Sequence, residues 1–266
     1  MANNFSINGR DQSIDGTDST DNILVNGRVN TINAEFGDDT ILINGSANGV
    51  DAGGGQDEIL ILGGSNRADG GNGKDVFTVR GQHNEINGGN GDDKITLIGN
   101  QSIILGAHGN DDIDVDGNNN LIDAGTNDDK IKVRGNRNTI DGNSGNDRIK
   151  VRRGFFNTIN AGGGDDKVTG SKAGEIIVGG AGNDRLKGKG GKDLFAFGED
   201  AFGFKDVIVD FTQGEDKIFV DGFTLGQATI KGKKYIFDNG SETLTIKFKN
   251  GIELTEADFA DSVDFV

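Results

Sequence analysis

The sequence predicts an all-β solenoid, in which short parallel strands stack coil upon coil. An aspartate recurs ten times at the same point of a turn, with a spacing of 18 residues except for one step of 19 from Asp147 to Asp166. Two residues after each aspartate comes an apolar residue, in a series from Ile23 to Leu186. A fixed period with a fixed loop and a fixed core position is typical of repeat architectures.

The recurrent loops are rich in glycine and end on the aspartate, as in GGNGKD, GGNGDD and GGAGND. Glycine allows the tight turns that bring backbone carbonyls together, and carboxylate and carbonyl oxygens are the ligands that Ca²⁺ prefers. We therefore expect calcium to lie between successive loops. The expected ligands are Asp21, Asp39, Asp57, Asp75, Asp93, Asp111, Asp129, Asp147, Asp166 and Asp184.

A second series of turns lies between the aspartate loops. Its members are Asn30, Asn48, Asn66, Asn84, Ser102, Asn120, Asn138 and Asn157. Because units alternate sides, this series should lie on the flank opposite the aspartates. Asparagine tolerates left-handed backbone, and stacked amides bond one another without a metal. Carboxylates stacked about 4.8 Å apart repel. The sequence thus predicts one calcium column and one metal-free asparagine column.

Each aspartate unit fits the pattern G-G-x-G-x-D-x-U-x and resembles the repeats-in-toxin (RTX) family. The resemblance implies a right-handed parallel β-roll with two nine-residue units per coil, about ten coils, bound calcium, and export by the type I secretion machinery. It places the roll at residues 1–196 and a β-rich cap at 197–266. The run from Asp206 to Phe223 resembles the segment that closes the roll in serralysin-type proteases, and the tail LTEADFADSVDFV resembles an uncleaved secretion signal. Localisation outside the cell or at its surface is expected.

Within the cap, the alternating segments on either side of Asn239 and Gly240 predict a hairpin. Thr255 is a candidate N-cap for a short helix or turn. Asp193, in the loop GKGGKD, is an eleventh metal candidate, although it lies on the asparagine flank. One coil earlier the loop GSKAGE offers Glu175 instead of aspartate.

Composition predicts that folding and metal binding are one event. The net charge is -16, glycine makes up 46 of 266 residues, a third of the chain is hydrophobic, and cysteine is absent. Such a chain buries too little apolar surface to offset its conformational entropy without a ligand. The gaps between ten loops could hold about eight or nine ions, which would nearly cancel the formal charge.

Other function classes find little support in the sequence. His83 and His108 occupy loop positions expected to face solvent, and no catalytic residue is assigned. We expect no membrane insertion, because no long apolar run occurs. We expect no nucleic-acid binding either, because the chain is acidic and has no basic tract.

Two surface features are candidate partner sites. Successive strands should present an acidic row, Asp112, Asp114 and Asp116, and then two basic rows. The first basic row can pair with the acidic row, which would leave these charges as ordinary solvated pairs of small energy. Alternatively, the basic rows and two adjacent phenylalanines at the one-residue insertion bind an acidic polysaccharide or a neighbouring subunit. For the two phenylalanine rings there is another possibility, in which one ring is buried and the other covers the cap. The candidate partner residues are Lys130, Lys132, Arg134, Arg148, Lys150, Arg152, Arg153, Phe155 and Phe156.

The function predicted is that of a secreted calcium-binding structural protein of the cell surface or matrix. It should form calcium-dependent homo-oligomers or filaments with residues 1–25 at a contact, because an uncovered coil edge templates further pairing and proline, a common edge blocker, is absent. The alternative is a calcium-folding carrier for a separate enzyme or adhesin. Ice binding is less favoured, because Thr40, Thr78, Thr96 and Thr169 do not form a regular column.

Overall fold

The computed structural model describes residues 2–260, which fall into two compact units, Met1–Ile131 and Lys132–Val266. Each unit is a parallel β-solenoid with about 18 residues per coil, and the chain makes about 11 turns in all. The all-β solenoid predicted from the repeat period is confirmed.

The first unit is built from 14 strands and the start of a fifteenth. They are β1 (Asn3–Arg10), β2 (Ser13–Thr17), β3 (Asp21–Arg28), β4 (Thr31–Glu35), β5 (Thr40–Ser46), β6 (Gly49–Asp51), β7 (Glu58–Leu62), β8 (Arg67–Asp69), β9 (Val76–Arg80), β10 (Glu85–Asn90), β11 (Lys94–Ile98), β12 (Ile103–His108), β13 (Asp112–Asp116), β14 (Leu121–Asp123) and β15 (Lys130–Arg134).

The second unit continues from β15 with further strands and three short 3₁₀ turns. They are β16 (Thr139–Asp141), β17 (Arg148–Arg153), β18 (Thr158–Gly163), β19 (Lys167–Thr169), β20 (Ile176–Ala181), β21 (Arg185–Lys187), β22 (Leu194–Phe197), η1 (Glu199–Ala201), β23 (Lys205–Ile208), β24 (Lys217–Val220), η2 (Leu225–Gln227), β25 (Thr229–Lys231), β26 (Lys234–Asp238), β27 (Thr243–Phe248) and η3 (Glu256–Asp258).

Strands of alternate half-coils form two parallel sheets in each unit. In the first unit, one sheet has the order β1-β3-β5-β7-β9-β11-β13 and the other β2-β4-β6-β8-β10-β12-β14. In the second unit the orders are β17-β19-β21-β23-β27-β26-β25 and β16-β18-β20-β22-β24. The register pairs residues one period apart, for example Ile41 with Ile59 and Ile59 with Phe77. Equivalent loop positions therefore stack directly on one another.

The core consists of apolar columns inside the coils. The residue two positions after each aspartate is buried in every coil, including Ile41, Phe77 and Ile149. In the opposite sheet Ile32, Ile86 and Ile140 are equally buried. Alternate residues of each strand face out, so each coil buries only a few side chains, and the interior is too narrow to contain an apolar core of ordinary size.

The C-terminal part of the second unit has a different, aromatic core. The strands β26 and β27 form the antiparallel hairpin predicted around Asn239 and Gly240, and β27 pairs in parallel with β23. Phe211 and Tyr235 each pack edge to face against Phe248, with ring centroids 5.3 and 5.5 Å apart, and the Tyr235 hydroxyl accepts a hydrogen bond from the Leu254 N–H. Thr255 lies at the N-cap of η3, and its N–H and hydroxyl both donate to the Asp258 carboxylate, as expected for a cap. The likeness of this region to serralysin closing segments stays a prediction, and residues 261–266 of the proposed secretion signal lie outside the described residues.

Candidate metal centre

The aspartates form a continuous ladder on one flank of each unit. One carboxylate oxygen, Oδ1, accepts a hydrogen bond from the backbone N–H of the aspartate one coil earlier. In the first unit the acceptors are Asp39, Asp57, Asp75, Asp93, Asp111 and Asp129, at 2.7–2.8 Å. In the second unit the acceptors are Asp166, Asp184 and Asp206, at 2.7–2.9 Å. This bond fixes the carboxylate plane in each coil.

The second oxygen of these carboxylates, Oδ2, is buried and accepts no hydrogen bond within the described part of the chain. This holds for Asp39, Asp57, Asp75, Asp93, Asp111, Asp129, Asp147, Asp166, Asp184 and Asp206, and also for Asp193 on the other flank. A buried polar atom without a partner costs about 1–3 kcal/mol, and more when it carries charge. A repeated array of such atoms requires something else to satisfy it.

The surroundings of Oδ2 consist of further oxygen acceptors. A Cβ atom placed on Gly70, the first residue of the loop that ends on Asp75, would lie 2.5 Å from the Asp75 Oδ2 and would also overlap the carbonyl oxygen of Gly88 in the next coil. The same juxtaposition recurs at Gly106, beside Asp111 Oδ2 and the carbonyl of Ala124. Carboxylate and carbonyl oxygens therefore face one small space from two coils.

This donor set fits a hard divalent cation. Ca²⁺ takes six to eight oxygen ligands from carboxylates and backbone carbonyls. Within residues 2–260 no three Asp, Glu, His or Cys side chains converge on one point, so backbone carbonyls have to supply most of the ligands. The glycine backbone makes this possible. Gly91, for example, has φ +137°, and a side chain there would overlap the carbonyl of Gly73.

Burial makes these carboxylates unusually weak acids. Burial, together with the charges of the neighbouring aspartates, raises the pKa of Asp57, Asp93 and Asp166 to about 7. At Asp206 burial raises the pKa to about 8, with the charge of Asp184 as an additional cause. The N–H of the preceding aspartate lowers each value, but it does not offset the burial. Near neutral pH the column thus holds negative charge that the protein alone does not stabilise.

The asparagine flank of the first unit has the same ladder, but the second side-chain atom of each asparagine there donates to a glycine carbonyl; in the second unit the Asn157 Nδ2 is buried without a partner among the described residues. In the first unit, Asn66 Oδ1 accepts the backbone N–H of Asn48 at 3.0 Å and its side-chain N–H at 3.1 Å. The Asn66 Nδ2 in turn donates to the Gly45 carbonyl at 3.0 Å and to Asn84 Oδ1 at 3.2 Å. The predicted amide ladder between coils is therefore present, although Ser102 interrupts it.

The backbone reason predicted for asparagine is wrong. The left-handed residue in each of these turns is the one before the asparagine, as at Val29 (φ 61°), Ala47 (φ 57°) and His83 (φ 58°). Side chains of many kinds occupy this strained position, and one of them is β-branched. Asparagine is therefore selected at its own position for its two hydrogen-bonding atoms rather than for its φ.

The asparagine series ends in acidic residues. Glu175 donates its backbone N–H to Asp193 Oδ1 at 3.0 Å, and Asp193 donates its N–H to Asp216 Oδ1 at 3.0 Å. The Glu175 carboxylate is satisfied by the N–H and hydroxyl of Ser171, whereas burial raises the pKa of Asp193 to about 8. Asp193 is thus stacked between the carboxylates of Glu175 and Asp216. The sequence indicates Glu175 as its neighbour one coil earlier.

Sequence reasoning missed two members of the ladders. Asp206 follows Asp184 after 22 residues, and Asp216 follows Asp193 after 23. Both keep the apolar residue two positions later, Ile208 and Ile218, and this signal could have found them once the fixed period was relaxed. Asp21, in contrast, accepts hydrogen bonds from the N–H of Thr17 at 2.7 Å and from Asn3 Nδ2 at 2.9 Å, so its environment differs from that of the other aspartates.

The predicted partner residues lie on the surface. Lys130 forms an ion pair with Asp112 at 2.5 Å, as expected for the acidic and first basic rows. The strand β17 alternates buried Ile149 and Val151 with exposed Arg148, Lys150 and Arg152, and Arg153 is exposed as well. The strand β15 follows the same alternation, with Lys130, Lys132 and Arg134 at the outward positions.

Both phenylalanines at the insertion are exposed. Phe155 is 42% and Phe156 48% accessible, so the possibility that one ring is buried is wrong. The rings meet edge to face with centroids 5.2 Å apart, and the Arg137 guanidinium lies 5.8 and 5.7 Å from the two centroids. The three side chains form a cation–π cluster on the asparagine flank of the second unit.

The histidines lie in exposed loop positions, as predicted. His83 occupies the left-handed turn position of the asparagine flank, and His108 Nδ1 lies 2.9 Å from the Thr126 hydroxyl on the aspartate flank. Over residues 2–260, no helix has the length and apolar character needed to span a membrane.

Comparison with known proteins fits this geometry. The family model of the RTX calcium-binding nonapeptide repeat matches residues 15–42, 61–96, 115–149, 153–172 and 169–201, more than half of the chain. The chain belongs to the RTX calcium-binding nonapeptide repeat family. It is thus a calcium-binding β-roll protein, built on a structural rather than a catalytic module. RTX repeat proteins are typically exported from the cell.

The fold is shared with a protein of known structure. A hyperactive, Ca²⁺-dependent, β-helical antifreeze protein from an Antarctic bacterium is 20% identical over 97% of this chain and 96% of its own, with a TM-score of 0.52. The extracellular lipase LipA from Serratia marcescens is 13% identical over 71% of this chain and 45% of its own, with a TM-score of 0.29. No curated protein sequence matches this RTX protein.

Proposed function

We propose that this RTX protein is a secreted structural protein that folds when it meets extracellular calcium and then acts by assembling with further copies. The observation that supports the calcium step is the column of buried Oδ2 atoms that accept no hydrogen bond, with a backbone carbonyl beside those of Asp75, Asp93 and Asp111. A cation between coils would satisfy both oxygens at once. Occupying the column would also neutralise most of the net charge of -16.

The same column would prevent folding where calcium is scarce. Each coil must bring a further carboxylate to strand spacing from the previous one, and the repulsion accumulates along the stack. The unfolded chain has no preformed site, so the binding free energy becomes folding free energy. A chain of this kind stays unfolded during export from a calcium-poor cytoplasm and folds outside.

Assembly is proposed through the first coil. Within residues 2–260, β1 pairs only with β3, and its other edge is open. The Asn3 N–H donates to the Thr20 carbonyl, so alternation along the strand directs the N–H groups of Asn4, Ser6 and Asn8 to the open edge. A contact between this edge and an unlike edge of another copy does not close on itself and would propagate into filaments.

The calcium step is tested by titrating calcium into the full-length protein and following strand content by circular dichroism. We expect a cooperative transition in the micromolar-to-millimolar range that sensor and extracellular calcium sites occupy, about 10⁻⁶ to 10⁻³ M. A midpoint well below that range would mean that the chain folds before export, which would contradict the proposal.

The assembly step is tested with Ser6→Pro. Proline removes one outward N–H and keeps the bonds to β3, so the calcium-loaded variant should fold normally and lose its oligomers. Ser6→Ala, which keeps the N–H, is the matched control and should assemble like the parent. A strictly monomeric parent in sedimentation and electron microscopy, or equal assembly of both variants, would argue against this edge.

No catalytic role is part of the proposal. A carrier module for a separately encoded enzyme or adhesin is the alternative, and it would show the calcium transition without self-assembly. The sedimentation experiment therefore also distinguishes these two roles.

A second candidate function, ice binding, is favoured by one observation. Apart from Arg10 and Arg28, which lie in register at the ends of β1 and β3, the outward side chains of β1, β3 and β5 carry no charge, and three of their asparagine pairs are hydrogen-bonded in ladders at 2.9–3.1 Å. The uncharged outward residues of these strands are Asn4, Ser6, Asn8, Asn22, Leu24, Asn26, Thr40, Leu42, Asn44 and Ser46. Threonines form no regular column: of Thr40, Thr78, Thr96 and Thr169, only Thr78 and Thr96 face each other across strands. Measurable inhibition of ice growth that is abolished by Leu42→Lys would support this function, and its absence in the calcium-loaded parent would rule it out.

A further inference from the structure

The second unit has a strongly basic sheet face in a chain of net charge -16. On the three neighbouring strands β17, β19 and β21 every outward position except Thr169 carries a lysine or arginine. We call this set the basic face; it comprises Arg148, Lys150, Arg152, Lys167, Arg185 and Lys187.

Like charges face each other across this sheet. The register pairs Arg148 with Lys167 and Lys167 with Arg185, so three cations form a column at strand spacing, about 4.8 Å. Like charges directly opposite each other in a sheet are destabilising. The pKa of the adjacent Lys189 is lowered by burial and then by the charges of Lys150 and Lys187, which shows the field that these cations create together.

In the first unit, neighbouring coils place opposite charges next to each other. There a cation of one coil faces an anion of the next, as in Arg67 with Glu85 at 3.6 Å and Lys74 with Asp92 at 2.5 Å. On the basic face, Lys187 has a distant ion pair with Asp210 at 3.8 Å. For the other five members, the described residues provide no carboxylate within 4.0 Å. The column of like charge is therefore a local exception to how this chain arranges its surface.

The exposed aromatic cluster continues the same coil. The strand β17 carries Arg148, Lys150 and Arg152 at about 7 Å intervals, as alternate residues of a strand must be. The chain then passes through Gly154 to Phe155 and Phe156, whose rings are 42% and 48% accessible. Aromatic and arginine side chains are enriched at binding interfaces relative to the rest of a protein surface.

We propose that the basic face, together with Phe155 and Phe156, binds an acidic polysaccharide of the uronic-acid type, laid along β17. Such a polymer alternates carboxylates, which the row of cations would pair with, and sugar rings whose C–H faces would pack on exposed aromatic rings. The flat sheet has room for an extended chain. The inference adds a partner to the proposed function and does not require self-assembly.

A glycan is favoured over a nucleic acid by charge. The net charge of -16 repels a polymer that carries a phosphate at every nucleotide, and long-range repulsion slows its approach. A polymer with a uronate at every second sugar, such as hyaluronate, carries one charge per disaccharide, which is a wider spacing than one phosphate per nucleotide, so it meets the local cations with less repulsion from the rest of the chain. A second copy of the protein is also less suitable, because Asp112 of the acidic row already pairs with Lys130.

The test uses full-length, calcium-loaded protein and hyaluronate as the probe, with neutral dextran and single-stranded oligothymidylate as comparison polymers. Affinity is measured by calorimetry at two salt concentrations. The variant Arg148→Gln/Lys150→Gln/Arg152→Gln removes three cations of the face. The matched control Arg28→Gln/Arg80→Gln/Lys94→Gln removes three exposed cations of the first unit and gives the same change in net charge. Circular dichroism in calcium confirms that both are folded.

We expect the face variant to weaken hyaluronate binding about tenfold or more and to reduce its salt dependence, because fewer counterions are exchanged. The control should bind within about twofold of the parent, since scattered surface charges contribute little. Phe155→Asn/Phe156→Asn places the residues of the equivalent turn at Asn118 and Asn119, so it should fold, and it should weaken hyaluronate binding several-fold. Absence of hyaluronate binding, equal losses in the two triple variants, or tighter binding of oligothymidylate than of hyaluronate would each overturn the proposal.

Discussion

The two flanks of the first unit use one backbone ladder with two side chains of nearly the same shape. On both flanks a side-chain oxygen accepts the N–H of the residue one coil earlier, as at Asp75 with 2.8 Å and at Asn66 with 3.0 Å. The flanks differ in the remaining atom. Asn66 Nδ2 donates to a glycine carbonyl, whereas Asp75 Oδ2 faces one without a donor between them.

Because of this difference, the asparagine flank can stack without a bound ligand, whereas the aspartate flank requires one. An amide brings its own donor to the carbonyl, so the asparagine flank needs nothing from solution. A carboxylate brings a second acceptor, so the aspartate flank needs a cation from outside. A fold with both flanks can respond to calcium along its whole length and still keep the stacking register on the other side.

The largest expected effect comes from removing calcium. In excess chelator the protein should lose most of its strand signal in circular dichroism, because the uncompensated aspartate flank opposes stacking in every coil. Magnesium at the same concentration should restore little of it, since Mg²⁺ demands a smaller, near-octahedral site and releases its waters reluctantly. Unchanged strand content in chelator would show that the asparagine flank and the apolar columns suffice.

Acidity should partly replace calcium. The pKa of Asp57, Asp93 and Asp166 is raised to about 7 in the fold, against an ordinary value of 3.8. Since the folded state binds these protons more tightly, the stability they contribute is fully present below about pH 4 and is lost as pH rises through about 7. Calcium-free protein should therefore regain strand content as pH falls from 8 towards 5.

A urea titration of chelated protein at several pH values measures this trend. The calcium-loaded protein is the control, and it should show the opposite dependence, because protons compete with calcium for the same oxygens. Calcium-free stability that rises with pH would contradict the assignment of the column as buried, weakly acidic carboxylates.

Exchanging single residues between flanks should give a smaller, sign-specific effect. Asn66→Asp removes two donors and leaves an oxygen against the Gly45 carbonyl, so calcium-loaded protein should lose about 1–3 kcal/mol of its free energy of unfolding. Asp75→Asn supplies a donor at the orphaned position, so calcium-free protein should gain a similar amount. Calcium-free stability is measurable when trimethylamine N-oxide is added to favour the fold.

The two variants control for each other, because they lie a half-coil apart on the same part of the stack and change charge in opposite directions. If net charge alone mattered, both effects would vanish at high salt, which screens exposed charges strongly and buried ones much less. Persistence of both effects in salt would show that local donors and acceptors decide the stability.

The sequence could predict the period, both flanks and the hairpin, since each rests on a residue type at a fixed spacing. It could not show that Oδ2 faces a carbonyl, because that depends on how the loop of the next coil is placed. Nor could it show that Val29 and its counterparts hold the left-handed turn, because their side chains are so varied. Asp206 and Asp216 were not predicted as ladder members because they follow the preceding member after 22 and 23 residues, which breaks the 18-residue period, although the strands keep their register.

The smallest expected effect concerns the break in the asparagine series at Ser102. Its hydroxyl oxygen accepts the Asn84 N–H at 3.1 Å, but the Asn84 side-chain amide donates only to the Gly63 carbonyl, whereas the Asn66 amide makes two bonds. In Ser102→Asn the new Oδ1 would accept from the Asn84 amide, and the new Nδ2 would reach the carbonyl of Gly81, the equivalent of Gly63 one coil later. The variant should gain about 0.5–1.5 kcal/mol in free energy of unfolding, the usual net value of a hydrogen bond, measured by urea denaturation in calcium. Ser102→Ala, which leaves the Asn84 N–H without an acceptor, should lose stability, and a loss in Ser102→Asn as well would mean that the coil at this point has no room for the amide.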